Sequence, residues 1–140
     1  MSPILAPIVA LVLWTFVVWA WMYATRLPAM KRAGMKSDPF AIRGEQMATL
    51  PAEVRWKADN YNHLMEMPTL FYAIALVLAV AGQGDGPNAT LAWVYVGLRV
   101  AHTLIQTLWN KIEVRFLAFL ASSVVLLLLT INAASVVFAP

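Results

Sequence analysis

Two sets of polar side chains stand inside otherwise apolar stretches of this chain, each with the spacing of one helix face. Asp59, Asn62 or His63, and Glu66 recur every three or four residues, as do Arg99, His102 or Thr103, Gln106 and Asn110. An acid, an imidazole and an amide opposite a guanidinium and a second imidazole can pair with each other or hold a charged ligand. His63 and His102 have no cysteine and no H-x-x-x-H pairing beside them, so no metal site is expected. No serine has a base at the spacing of a catalytic triad. Ser122, Ser123, Thr130, Asn132 and Ser135 are expected to hydrogen-bond and pack between helices.

The elements that must position these residues are set by composition. The chain has 140 residues, 61% hydrophobic and 12% charged, whereas soluble proteins are about half apolar and about a quarter charged. The apolar residues come in blocks of membrane-spanning length. The size fits one domain, 1–140. The expected fold is an all-α integral membrane protein, a bundle of four transmembrane helices at about 4–25, 57–81, 89–109 and 112–138. A secretory signal fits the first block poorly, because no Lys or Arg precedes its apolar core. Trp19, Trp21 and Tyr23 suit an interfacial aromatic belt at its far end.

A polar loop, 27–56, separates the first two helices and is punctuated by Pro28, Gly34, Pro39, Gly44 and Pro51. Asp38-Pro39 and Pro51-Ala52-Glu53 each read as the start of a helix, with proline near the first helical position. Gly82 to Pro87 forms a tight turn, after which Asn88 is placed to cap the third helix. Asn110-Lys111 allows only a short break, so the third and fourth helices should form an antiparallel hairpin.

Of the ten Lys and Arg residues, Arg99 alone falls inside a span, and the other nine flank or fill the first and third loops. By the positive-inside rule these loops are cytoplasmic and both termini lie across the membrane. The net charge of +3 is therefore expected to serve topology rather than nucleic acid, for which the chain has no motif. Cysteine is absent, so disulfides and thiolate ligands are excluded.

At about 1.5 Å per residue, Glu66 lies about 15 Å in from Trp56, and Arg99 about 16 Å in from Asn110. The two stripes thus match in depth, and a Glu66–Arg99 pair, direct or through a ligand, is expected. Pro68 cannot donate to the Leu64 carbonyl and should kink the second helix. Arg115 near the cytoplasmic end of the fourth helix can serve as a snorkelling anchor.

Asn62-His63-Leu64-Met65-Glu66-Met67-Pro68 with Leu70-Phe71, and Gly97-Leu98-Arg99-Val100-Ala101-His102-Thr103 with Arg115, resemble motifs of one family. These are the membrane-associated proteins in eicosanoid and glutathione metabolism (MAPEG), of which the chain resembles a divergent, bacterial member. The resemblance covers essentially the whole chain. It implies a homotrimer in a bacterial inner membrane, with glutathione as cosubstrate between neighbouring subunits and a lipophilic small molecule drawn from the lipids. It also implies that Glu66 meets the glutathione ammonium, that Arg26, Lys57, Arg99 or Arg115 meets its carboxylates, and that Arg115 stabilises the thiolate. Asn62, His63, His102 and Gln106, on the same two polar stripes, are the further candidate ligand-binding residues. The chain departs from the family at Asp59, where an arginine is usual, and at His63, where an asparagine is usual. Tyrosines found in some members are replaced here by Gln106 and Phe119.

Three functions follow as expectations: a thiol transferase or isomerase, a non-catalytic binding or scaffold protein of the same fold, and a small proton-coupled transporter. Arg99 at the depth of Glu66 would hold that acid ionised and speaks against the last.

Overall fold

The computed structural model describes residues 1–140 and consists of helices alone: α1 (Leu5–Arg32), α2 (Glu45–Ala48), α3 (Ala52–Leu64), α4 (Met67–Val80), α5 (Gly86–Leu108) and α6 (Ile112–Val137). Three stretches, Leu5–Arg32, Ala52–Val80 and Ile112–Val137, are long and apolar enough to cross a membrane. Only 28 of the 140 residues are buried, while Phe16, Leu76, Leu117 and Leu127 lie exposed on the helices. Apolar surface on that scale needs a lipid solvent, so the chain is a membrane protein.

α5 is the packing centre, in contact with α1, α3 and α6. Its buried face runs Ala92, Tyr95, Val96, Arg99, His102, Thr103, Gln106 and Thr107, apolar at one end and polar at the other. Those polar residues make α5 less apolar than the three spans. The apolar half packs on Leu11, Leu64, Phe71, Leu78 and Leu129, with Tyr95 stacked on Phe71 at 4.4 Å between ring centroids.

α1 runs past Arg26 to Arg32 and takes Pro28 into its length. Pro28 leaves the Ala24 carbonyl without a donor, which water can supply where the helix has left hydrocarbon. The stop comes at Gly34 (φ +62), where the N–H groups of Gly34 and Met35 close on the carbonyls of Lys31 and Met30. α3 starts directly after Pro51, at Ala52. Asp38-Pro39 forms a turn instead of a helix, with Asp38 Oδ1 accepting from the Phe40 N–H at 2.9 Å.

The second rod is broken rather than kinked. α3 ends at Leu64, α4 begins at Met67, and Glu66 between them is non-helical (φ −93, ψ −103). Pro68 sits in the first turn of α4, where its missing N–H is least costly. At the far end, the Ile4 N–H donates to the Gly84 carbonyl at 2.9 Å, tying the start of α1 to the α4–α5 turn. α5 has no side-chain cap; Asn88 Nδ2 donates to the Gln83 carbonyl and Asn88 Oδ1 accepts from Asn132 Nδ2.

Candidate functional site

The polar half of the α5 face meets α3 in antiparallel register. Asn60 reaches Thr103, and His63 reaches both His102 and Arg99. The rings of His63 and His102 stack with centroids 4.6 Å apart and planes 11° apart, and Phe119 of α6 packs edge-on to His63 at 5.4 Å.

Arg99 is completely buried, and one guanidinium nitrogen, Nη2, lies 2.6 Å from His63 Nδ1. A guanidinium only donates, so Nδ1 accepts and a neutral His63 ring carries its proton on Nε2. The remaining Arg99 nitrogens, Nε and Nη1, have no protein partner, and neither do His102 Nδ1 or Gln106 Oε1. Buried polar atoms without partners are rare in native proteins and point to a ligand, water or ion.

A cavity of about 220 Å³ opens beside them, lined by His63, His102, Gln106, Arg115, Phe116 and Phe119, with Ile112 at its edge. Arg115 is half-buried and donates through Nη1 to Asn110 Oδ1 at 2.5 Å. Asn110 itself takes the left-handed conformation (φ +52) that ends α5. One asparagine thus makes the α5–α6 bend and aims the arginine at the cavity. The wall offers a cation, an imidazole donor and an amide acceptor against two aromatic rings. The cation and the donor suit an anionic group beside an apolar one, and the unpartnered Gln106 carbonyl can accept from a donor on the same ligand.

The expected Glu66–Arg99 contact is not made. Arg99 turns to His63, and the helix break carries Glu66 to the exposed surface with Asp59 and Asn62. Arg26 also stands apart. It lines a second cavity, of about 390 Å³, with Arg43, Arg55, Asp59 and Asn62 between α1, α2 and α3. Lys57 is taken up internally, donating to the Glu53 carbonyl at 2.8 Å with its ammonium 5.5 Å from the centre of the Trp21 ring.

Asn60 was not among the expected residues. It is fully buried and donates to Thr103 Oγ1 at 3.1 Å, and that oxygen also accepts from Trp14 Nε1 at 3.1 Å. The signal was its position three residues before His63, which puts both on one helix face. Tyr95, four residues before Arg99, is likewise buried with an unpartnered hydroxyl.

An all-helical membrane protein with a cationic, histidine-lined cavity at the α5–α6 end of its polar stripe is the class defined so far. The chain belongs to the MAPEG family, whose sequence pattern matches residues 4–135. No curated protein and no solved structure matched it.

Proposed function

We propose that the protein spans the membrane four times, with α5 crossing in addition to the three apolar stretches, and binds glutathione or a related thiol at subunit interfaces. There it would transfer the thiol to a lipophilic substrate or use it to isomerise one. The observation that carries this is an incomplete cavity. At about 220 Å³ it falls below the roughly 300 Å³ at which small-molecule sites begin. It presents the cation and donors but no acid.

The missing acid lies on the outside of the same subunit. Glu66 is exposed at the break between α3 and α4, inside a stretch apolar enough to cross a membrane, where hydrocarbon would leave it unsolvated. A second copy of the chain covers that surface most economically, bringing its own Arg115-lined cavity against Glu66. A cyclic homotrimer, as the family resemblance implies, repeats this contact at every interface. The first and third loops, rich in Lys and Arg, would then face the cytoplasm, with a bacterial inner membrane as the setting.

In such a site Glu66 would hold the ammonium of the thiol peptide and Arg115 the sulfur. A cation beside the thiol raises the thiolate fraction, and the thiolate is the attacking species. Its new S–C bond would form at an electrophilic carbon presented from the lipid side, past Phe116 and Phe119. A bond from that carbon to an electronegative atom would break as it forms, and that atom would leave with the electron pair and take up a proton. A second function keeps the ligand and drops the chemistry. It is favoured by one observation: Phe119 closes the cavity edge-on to His63 with no hydroxyl to steady a thiolate.

Glutathione titration of the detergent-solubilised protein tests both. Arg115→Ala and Glu66→Gln should each weaken binding by about tenfold or more, the loss of one charge-assisted hydrogen bond. Unchanged affinity in both variants removes the thiol site. Binding without conjugation of a lipophilic electrophile selects the non-catalytic function.

A further inference from the structure

The segment between α1 and α2 displays two apolar side chains that its own hydrogen bonds hold outward. Phe40 is 95% exposed and Ile42 76%. Their backbone is fixed: Asp38 Oδ1 accepts from the Phe40 N–H, the Asp38 carbonyl accepts from the Ala41 N–H, and Glu45 Oε2 accepts from the Ile42 N–H. Gln46 Nε2 closes the base of the loop on the Lys36 carbonyl at 2.7 Å. A loop tied this firmly does not need to leave a Phe and an Ile in water, and nothing in the rest of the chain covers them.

The depth of the loop says what does. Its upper part is level with the end of α1, because Met30 and Met35 border one cavity together with Asp38 and Gln46. Its lower part has descended: Arg43 and Gly44 share a cavity with Arg26, Ala58, Asp59 and Asn62, at the level where the apolar stretch of α1 ends. Phe40 and Ile42 lie on the descending stretch between these levels. Around them Lys31, Arg32, Lys36 and Arg43 outnumber Asp38 and Glu45. Apolar tips within a basic segment, at the level where the apolar stretch of α1 ends, match an anionic lipid surface in both polarity and charge.

We infer that residues 33–44 form an interfacial anchor. Phe40 and Ile42 insert among the acyl chains of the leaflet that α1 and α3 leave, and Lys36 and Arg43 rest on the phosphates of anionic lipids. The anchor is independent of what the histidine-lined cavity binds. It would pin α2, and with it the roof of the arginine-lined cavity, to the membrane surface.

The chain has no cysteine, so a single introduced one can carry a nitroxide without background. Full-length Phe40→Cys, Ile42→Cys and, as a control on the upper part of the loop, Ser37→Cys are labelled and reconstituted in phosphatidylcholine vesicles with or without phosphatidylglycerol. At positions 40 and 42, collisions with oxygen should exceed those with a water-soluble nickel chelate severalfold, with the reverse at 37. The ratio at 40 and 42 should rise with phosphatidylglycerol, and this rise should vanish in Lys36→Gln/Arg43→Gln. Nickel access at 40 and 42 equal to that at 37 overturns the anchor, placing the tips in the cytosol. Exclusion of both reagents with dipolar broadening between labels also overturns it, placing a second copy of the chain there. Insertion indifferent to phosphatidylglycerol overturns the role given to Lys36 and Arg43.

Discussion

Arg99 Nη2 and His63 Nδ1 are 2.6 Å apart in the interior of the bundle, and this contact joins α5 to α3. It gives the buried guanidinium its only protein partner. It also leaves a neutral His63, which lines the cavity, with its ring proton on Nε2.

Removing that acceptor should be costly. His63→Ala leaves a fully buried cation with no protein hydrogen bond, and its uncompensated desolvation should destabilise the protein by about 3 kcal/mol. The same change also removes the His102 stack and the Phe119 edge contact. Thermal unfolding in detergent reads the effect as a clear fall in Tm. An unchanged Tm would mean that Arg99 is solvated from another direction.

Thr103 should behave as a junction. Its hydroxyl accepts from both Trp14 and Asn60, linking α1, α3 and α5 through one oxygen. Thr103→Val orphans two donors at once and should cost about 2 kcal/mol, roughly the sum of two ordinary hydrogen bonds. Once Trp14→Phe has removed one donor, the further cost of Thr103→Val should be smaller. A double-mutant cycle in thermal stability checks this, and strict additivity would refute the shared acceptor.

A third prediction concerns the opposite end of the bundle. A Cβ at Gly84 would lie 3.2 Å from the Ala79 Cα and would collide with the side chains of Ser2 and Ile4. Gly84→Ala should therefore push the start of α1 off the α4–α5 turn and break the Ile4–Gly84 hydrogen bond, costing about 1–3 kcal/mol. Faster proteolysis near the N-terminus and a lower Tm would report it. A variant as stable as the parent would show that this end of α1 is not packed as described.

What was legible in the sequence followed from solvent and spacing. The long apolar blocks could only be helices in lipid, and the polar stripe from Arg99 to Gln106 appears as one buried face of α5 because side chains three and four apart share a face. The stripe on α3 was harder to read. Asp59, Asn62 and Glu66 keep helical spacing as faithfully as Asn60 and His63, and periodicity alone cannot say which of two adjacent faces turns inward. Packing decided it, since α5 presents Thr103 and His102 to the face that carries Asn60 and His63. Glu66 was misplaced for a local reason. A proline tolerated in a first turn lets the chain stop at Leu64 and restart at Met67, so depth counted along one continuous rod fails beyond the break. The apolar block closes at Arg26, yet α1 runs on through Pro28, and the terminating conformation belongs to Gly34.

The fourth prediction separates a site within one subunit from a site shared between two. Glu66 is exposed, while Arg115 lines the cavity, so in a shared site the two would come from neighbouring chains. Glu66→Gln and Arg115→Ala should then each abolish high-affinity glutathione binding alone and restore part of it when co-expressed. A neighbour pair that combines the intact Arg115 of one variant with the intact Glu66 of the other rebuilds a complete site. With random mixing in a closed ring, about one quarter of the interfaces have that arrangement, so about one quarter of the parental sites should return. Mixing the purified variants without exchange of subunits should restore nothing, which controls for partial activity of either. If co-expression also restores nothing while both chains assemble together, Glu66 and Arg115 act within one subunit or not on a common ligand. The interface would then need some other explanation for the polar surface of α3.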